Sequence, residues 1–178
     1  CYRTPATIME AAEETVTHLG HPPVYPVRSV RDLPDCLEVT DLSQSPQGAQ
    51  PDVWASVLRE VVSQESSRLD EQVVAGVGRI AVISSSPSRT EALLREAPDL
   101  AAAMEAPGGD VLRSRLLVVD PVLSKGLEFD VVVLVDPAEV GERSVGDLYV
   151  AMTRPTRRLR VVSRLTLPRG LEPRSGDR

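Results

Sequence analysis

The feature that most constrains this fold is an unbroken apolar run at residues 131–135, Val-Val-Val-Leu-Val, closed by Asp136 and Pro137. A continuous β-branched run of this length is typical of a strand buried on both faces of a parallel sheet. The polar heptapeptide Ser-Lys-Gly-Leu-Glu-Phe-Asp, residues 124–130, precedes the run and should lie at the mouth of that strand. It is either a functional loop or an ordinary loop entering a core strand. Lys125, the only lysine of the chain, suggests a site.

The remaining apolar segments alternate between strand and helix patterns. We predict edge strands or a hairpin at 24–30 and 36–40, and core strands at 79–83, 116–119, 131–135 and 159–162. Helical periodicity follows Thr4, Asp52, Ser88 and Ser144, which we predict as N-caps, and a short alanine-rich helix follows Pro98. This alternation predicts an α/β fold with a mostly parallel sheet covered by helices on both faces.

At 178 residues and 42% hydrophobic content, the chain is long enough for one such domain with a sizeable core. It begins with Cys1 in what looks like the middle of a motif, so we expect a fragment of a larger protein. We expect the domain to span residues 1–167 and a flexible tail to span 168–178. No apolar run approaches the length of a membrane span, and we expect a cytoplasmic protein.

Composition argues against some classes of site. Two cysteines and two histidines lack metal-ligand spacing, so we expect no metal site on this chain. Aromatic residues, at 3%, are too scarce for a platform that stacks single strands. Residues 143–178 carry a net charge of +6 and the preceding part −12. The basic segment either faces phosphate groups or reflects an arginine-rich codon bias.

Three polar stretches combine helix ends with arginines or carboxylates: Tyr2-Arg3-Thr4-Pro5, the loop at 125–130, and Tyr149-Val150-Ala151-Met152-Thr153-Arg154. We expect them to converge beyond the carboxyl ends of the strands, where parallel sheets bind ligands. Two separated arginines there could hold a polyphosphate, because the guanidinium fork matches phosphate oxygens. The chain has no GxxxxGK[ST] phosphate-binding loop, so it cannot hydrolyse a nucleotide alone.

In this order, the three stretches resemble motifs IV, V and VI of superfamily 1 helicases of the UvrD, Rep and PcrA type. Within that family the likeness is greatest to the HelD branch, which is related to helicase IV and whose Gram-positive members use ATP to free RNA polymerase from nucleic acid. The resemblance implies a C-terminal RecA-like motor domain. An N-terminal RecA-like domain of the same polypeptide would carry the phosphate-binding loop and the carboxylates that hold Mg²⁺. The implied partners are that domain, ATP with Mg²⁺, single-stranded DNA and RNA polymerase.

The resemblance also implies roles for individual residues. Arg3 and Arg154 match the two arginines that reach the γ-phosphate across the cleft between the motor domains, as arginine fingers. Tyr2 matches the tyrosine that stacks on adenine, and Glu128 matches the glutamate that contacts the ribose. Gly126 lets the backbone approach the nucleotide.

Lys125 and Thr153 are implied to link the nucleotide to the rest of the motor. The sequence departs from the family where Asp120-Pro121-Val122-Leu123 replaces the Thr-x-His pattern that helps couple ATP to a DNA strand. This departure puts DNA unwinding in doubt. We therefore keep three functions open: a DNA helicase or translocase motor, a HelD-type ATPase that recycles RNA polymerase, and a non-catalytic docking module.

Three of the site residues also have a structural alternative. Tyr2 could pack in the core, Arg154 could cap the carbonyl end of its own helix, and Glu128 could pair with Lys125 on the surface. The arginines at 157, 158 and 160 read as a solvated face more than as a contact for nucleic acid.

Overall fold

The computed structural model describes residues 3–25, 29, 31, 33–48, 50–106, 108, 110 and 113–172. Its five strands form one parallel sheet in the order β1-β5-β4-β2-β3. The strands are β1 (Leu37–Asp41), β2 (Ile80–Ile83), β3 (Leu116–Val119), β4 (Phe129–Val135) and β5 (Pro155–Ser163). The helices are α1 (Ala6–His18), α2 (Pro51–Gln72), α3 (Pro87–Arg95), α4 (Pro98–Met104), α5 (Pro137–Arg143) and α6 (Val145–Met152). The predicted α/β class with a parallel sheet is confirmed.

The apolar run at 131–135 forms the body of β4, the central strand, and its side chains are buried on both faces of the sheet. Val132 and Leu134 lie in the core beneath α1, α5 and α6. Val131, Val133 and Val135 lie in the core beneath α2, α3 and α4. Helices therefore cover both faces of the sheet, as predicted, and β4 belongs to both cores.

The longest helix, α2, has a single apolar stripe that packs on the sheet, and its other faces are polar. In the described ranges, no helix is both long enough and apolar enough to cross a bilayer.

The two segments predicted as edge strands or a hairpin have different outcomes. β1 is an edge strand of the described sheet and pairs in parallel with β5, which agrees with the edge-strand alternative. Of the other predicted run, Val24 and Tyr25 form a bend, and residues 26–28 and 30 lie outside the described residues. The sequence analysis also missed α5, a seven-residue helix whose only strong signal is Pro137 at its first position.

Three of the four predicted N-caps are wrong. α2 and α3 begin at Pro51 and Pro87, because the fixed φ angle of proline suits the first turn of a helix. α1 begins at Ala6 without a side-chain cap. Only Ser144 acts as predicted, accepting a hydrogen bond from the Asp147 N–H at 3.1 Å at the start of α6.

The arginines of β5 do not form the predicted solvated face. Arg158 is buried and pairs with Glu65 of α2, whose carboxylate is also buried. Four arginines of the basic C-terminal segment pair with acids that precede it: Arg157 with Asp130, Arg158 with Glu65, Arg160 with Glu38, and Arg164 with Asp136. These side chains are held in ion pairs within the domain, so neither the solvated-face reading nor the phosphate-facing reading holds for them.

Residues 168–172, predicted to begin a flexible tail, pack against the body of the domain. Leu171 is fully buried in the core beneath α1. Gly170 has φ +96°, and its backbone lies against Thr15 of α1. Residues 173–178 lie outside the described residues.

We expect Glu65→Ala to destabilise the domain by about 3–5 kcal/mol, because it leaves the buried Arg158 guanidinium without its charge partner. Chemical denaturation measures this loss. The control is Glu96→Ala, because the Glu96 side chain is 63% exposed where it pairs with Arg59. This variant should lose less than about 1 kcal/mol of unfolding free energy. Equal losses for the two variants would contradict the structural role of the buried pair.

We expect Gly170→Ala to be more destabilising than Gly20→Ala, although both glycines have positive φ angles. A Cβ at Gly170 would lie 2.7 Å from the Thr15 hydroxyl oxygen and 2.8 Å from its backbone nitrogen, whereas nothing lies within 4 Å at Gly20. Gly20→Ala should lose about 1 kcal/mol from left-handed strain alone, and Gly170→Ala at least about 2 kcal/mol. Thermal unfolding would reveal the difference, and equal losses would mean that residues 168–172 are not packed.

Candidate functional site

Two of the three polar stretches lead directly into neighbouring strands. Glu128 precedes β4, and Arg154 precedes β5. Phe129 pairs with Pro155 in the parallel ladder, and the Phe129 N–H donates to the Arg154 carbonyl at 3.2 Å. Glu128 and Arg154 therefore lie side by side at the amino ends of the strands. The predicted location beyond the carboxyl ends is wrong, because these stretches precede their strands.

The first stretch lies at the same amino ends of the strands, and its contacts there are to residues far along the sequence. Arg3 Nη1 donates to Glu128 Oε2 at 2.8 Å. The buried Thr4 hydroxyl donates to the Thr153 carbonyl at 3.0 Å. The three stretches thus converge, with Arg3 beside Glu128 and Thr4 beside the residue that precedes Arg154.

The Arg154 side chain lies along the end of α6. Its Nε donates to the Val150 carbonyl at 3.1 Å, and its Nη1 contacts the Leu127 carbonyl at 3.4 Å. The bond to Val150, a residue of α6, agrees with the alternative in which Arg154 caps the carbonyl end of its own helix. The role as an arginine finger stays a prediction.

Lys125 and Glu128 do not pair with each other, so that alternative is wrong. Lys125 Nζ lies 2.8 Å from Asp147 Oδ1 in the first turn of α6. Glu128 pairs with Arg3, whose side chain is 73% exposed. An ion pair this exposed contributes at most about 1 kcal/mol, so Arg3 can exchange Glu128 for another anion at little cost.

Gly126 has φ +79°, and no heavy atom lies within 4 Å of the position that a Cβ would occupy. Its backbone therefore faces open space at the end of the turn that carries Lys125. Two guanidinium groups for phosphate oxygens, a carboxylate for sugar hydroxyls and an exposed glycine backbone suit a phosphorylated nucleotide. The described residues fit such a ligand. Tyr2, assigned to the adenine, lies outside the described residues.

Thr153 and Tyr149 close the last turn of α6. The Thr153 hydroxyl forms hydrogen bonds with the carbonyls of Tyr149 and Val150, at 2.9 and 3.2 Å. The Thr153 carbonyl accepts the hydrogen bond from the Thr4 hydroxyl. Burial raises the pKa of the Tyr149 phenol, with repulsion from Glu13 adding to the effect and the charge of Arg154 opposing it. Tyr149 is therefore a neutral phenol at pH 7.

Sequence reasoning missed three residues that hold this edge together. Thr4 was assigned to a helix cap, Asp147 partners Lys125, and Asp130 links three strands. Asp130 accepts the Arg79 N–H at 2.9 Å and the Arg157 side chain at 3.1 Å, so it ties β4 to the starts of β2 and β5. An acid in the heptapeptide was the available signal for Asp130, but its partners come from distant segments.

Comparisons with known proteins bear on the fold. No protein-family model matches the chain, and no curated protein matches it. A solved structure, the C-terminal domain of a possible DNA helicase from Lactobacillus plantarum WCFS1, resembles it with a TM-score of 0.60 and 20% sequence identity. The match covers 96% of this chain and 92% of that chain. At this identity the likeness shows the fold alone, which is the α/β fold of that C-terminal domain.

We expect Thr4→Val to destabilise the domain by about 1–3 kcal/mol, because it removes the donor that satisfies the buried Thr153 carbonyl. Thr17→Val is the control, since the Thr17 hydroxyl bonds to the Glu13 carbonyl on the exposed side of α1. That control should change stability by less than about 0.5 kcal/mol. Urea denaturation of both variants tests the difference, and an unchanged Thr4→Val midpoint would show that this bond does not hold the edge together.

Proposed function

We propose that this chain is the C-terminal motor domain of an ATP-dependent superfamily 1 helicase or translocase. The observation that supports this best is the convergence of Arg3, Glu128 and Arg154 at the amino ends of β4 and β5. These residues lie in three separate stretches, and each matches a nucleotide-contacting residue of that family. Convergence is what a shared ligand would require.

In the proposed site, ATP binds between this domain and an N-terminal motor domain that holds Mg²⁺. Bound ATP supplies the phosphoryl group whose transfer to water drives the motor. Arg3 and Arg154 stabilise negative charge at the terminal phosphate, and Glu128 accepts hydrogen bonds from the ribose. Both arginines must give up their present partners, Glu128 for Arg3 and two backbone carbonyls for Arg154.

Lys125 and Thr153 transmit the state of this edge to the rest of the domain. Lys125 joins the 120–128 loop to the first turn of α6, and Thr153 joins the last turn of α6 to the start of α1. One helix thereby connects both ends of the site. We propose this helix as the element that moves with the nucleotide state.

A HelD-type ATPase that frees RNA polymerase is the second candidate, and the turn at 120–124 favours it. Val122 and Leu123 are exposed there, at 55% and 63%. The turn is fixed by the Asp120 carboxylate, which accepts the Leu123 N–H at 2.7 Å, and by the Ser124 hydroxyl, which donates to the Pro121 carbonyl at 2.7 Å. A fixed turn with two aliphatic residues and an acid suits a protein surface better than a phosphate backbone.

We expect Arg154→Ala and Arg3→Ala to lower ATP turnover by about 10³-fold or more in a polypeptide that carries both motor domains, as removal of an arginine finger does. Arg113→Ala is the control, because Arg113 lies outside the three stretches and its exposed side chain pairs with Asp110. It should leave turnover within about threefold. Steady-state ATPase assays measure all three variants.

Near-normal turnover in Arg154→Ala would reject the site assignment, and an inactive parent protein would favour the docking module. The same assay, run with single-stranded DNA and with RNA polymerase, separates the two motor functions. Stimulation by DNA alone supports a DNA helicase or translocase. ATP-dependent release of nucleic acid from the polymerase, with little stimulation by DNA, supports the HelD-type function.

A further inference from the structure

The two outer strands of the described sheet differ in how their edges are protected. β1 contains two acidic residues, Glu38 and Asp41, and Glu38 pairs with Arg68 of α2 and Arg160 of β5. β3 consists of Leu-Leu-Val-Val, without a charge or a proline. Proteins usually protect exposed edge strands with charged residues or proline, because an unprotected edge strand can pair with another extended chain. Among the described residues, β3 is therefore the outer strand whose own sequence does not protect it from an added strand.

Hydrogen bonds to β2 show which backbone groups of β3 face outward. The Ile80 N–H donates to the Arg115 carbonyl at 2.9 Å, and the Ser84 N–H donates to the Val119 carbonyl at 3.1 Å. Alternate residues of a strand face the same neighbour, so residues 115, 117 and 119 face β2. The N–H and C=O groups of the residues between them point away from the sheet.

Two residues, Leu116 and Val118, therefore present backbone groups at the outer edge. The Leu116 carbonyl accepts the Ser114 hydroxyl at 3.0 Å and is already satisfied. Val118 is the centre of the remaining edge, with a donor and an acceptor directed outward. Backbone groups in this arrangement are best satisfied by an extended chain.

A groove of about 310 Å³ runs beside this edge, between β3 and the ends of α3 and α4. Met104, Ala106 and residues 116–118 form its apolar part. Its rim carries Glu91, Arg95 and Glu105, and Arg95 pairs with both glutamates. One negative charge is left over, and the Glu105 side chain is 75% exposed.

We propose that β3 and this groove, which we call the β3 edge, bind an extended segment of a protein partner by strand addition. The segment hydrogen-bonds to Val118, places an apolar side chain against Met104 and directs a lysine or arginine toward Glu105. Main-chain bonds supply affinity in this mode of recognition, and alternate side chains supply specificity. The proposal is independent of the nucleotide site, which lies at the amino ends of the strands.

A second copy of the chain fits this edge less well than a peptide does. Two β3 strands would pair over four residues each, which buries far less than the roughly 1,000 Å² that a stable interface needs. Two copies would also bring rims of the same net charge together. Both arguments favour a basic partner segment.

The test titrates the ¹⁵N-labelled chain with a blocked eight-residue peptide that alternates valine with lysine, and with the same peptide carrying glutamate for lysine. We expect the lysine peptide to shift the amide signals of 116–119 and to bind at least tenfold more tightly than the glutamate peptide. Val118→Pro should weaken binding at least tenfold, because it removes the outward N–H and leaves the bonds of residues 117 and 119 to β2 in place.

Glu105→Lys should also weaken binding, and it leaves the backbone of β3 intact if the proline variant fails to fold. Glu96→Lys is the control with the same charge change, because Glu96 pairs with Arg59 and does not line the groove. The proposal is overturned if neither peptide shifts residues 116–119, if Glu105→Lys and Glu96→Lys act equally, or if the edge instead forms a dimer of the free chain.

Discussion

The candidate site depends on the parallel pairing of β4 with β5. This ladder holds Phe129 against Arg154 and Pro155, and it thereby places Glu128 and Arg154 next to each other. The contacts of Arg3 and Arg154 attach to that pair of strand starts. Arg3 reaches Glu128, and Arg154 reaches the carbonyl beside Glu128. A loop alone could not fix these positions, whereas two buried neighbouring strands do.

Buried and exposed ion pairs play different parts in this domain. On the α2 side of β5, Arg158 and Glu65 form a pair that is almost fully shielded from water. Such a pair adds little net stability, but it specifies which partner each charge must find during folding. At the amino ends of the strands, the charges are exposed and weakly paired. The first group is suited to structure and the second to exchange with a ligand.

The sequence alone predicts the central strand, the bounds of β3 and the cap of α6, because each is encoded within a few residues. It also predicts that the three polar stretches converge, which the contacts of Arg3 with Glu128 and of Thr4 with Thr153 confirm. It does not predict the edge at which they meet, since that depends on whether a loop precedes or follows its strand in the assembled sheet. Nor does it predict that Arg158 is buried, because its partner Glu65 lies 93 residues away. Local patterns cannot encode pairings of that range.

The position of β1 has a consequence for synthesis on the ribosome. In the described sheet its one neighbour is β5, and Thr40 contacts Arg160, which is translated 120 residues later. At about 5–20 residues per second, β1 waits roughly 6–24 s for its partner strand to be made. During that interval the strand has no ladder to join. Glu38 and Asp41 place two negative charges on the unpaired strand, and like charges oppose its pairing with a second copy of itself.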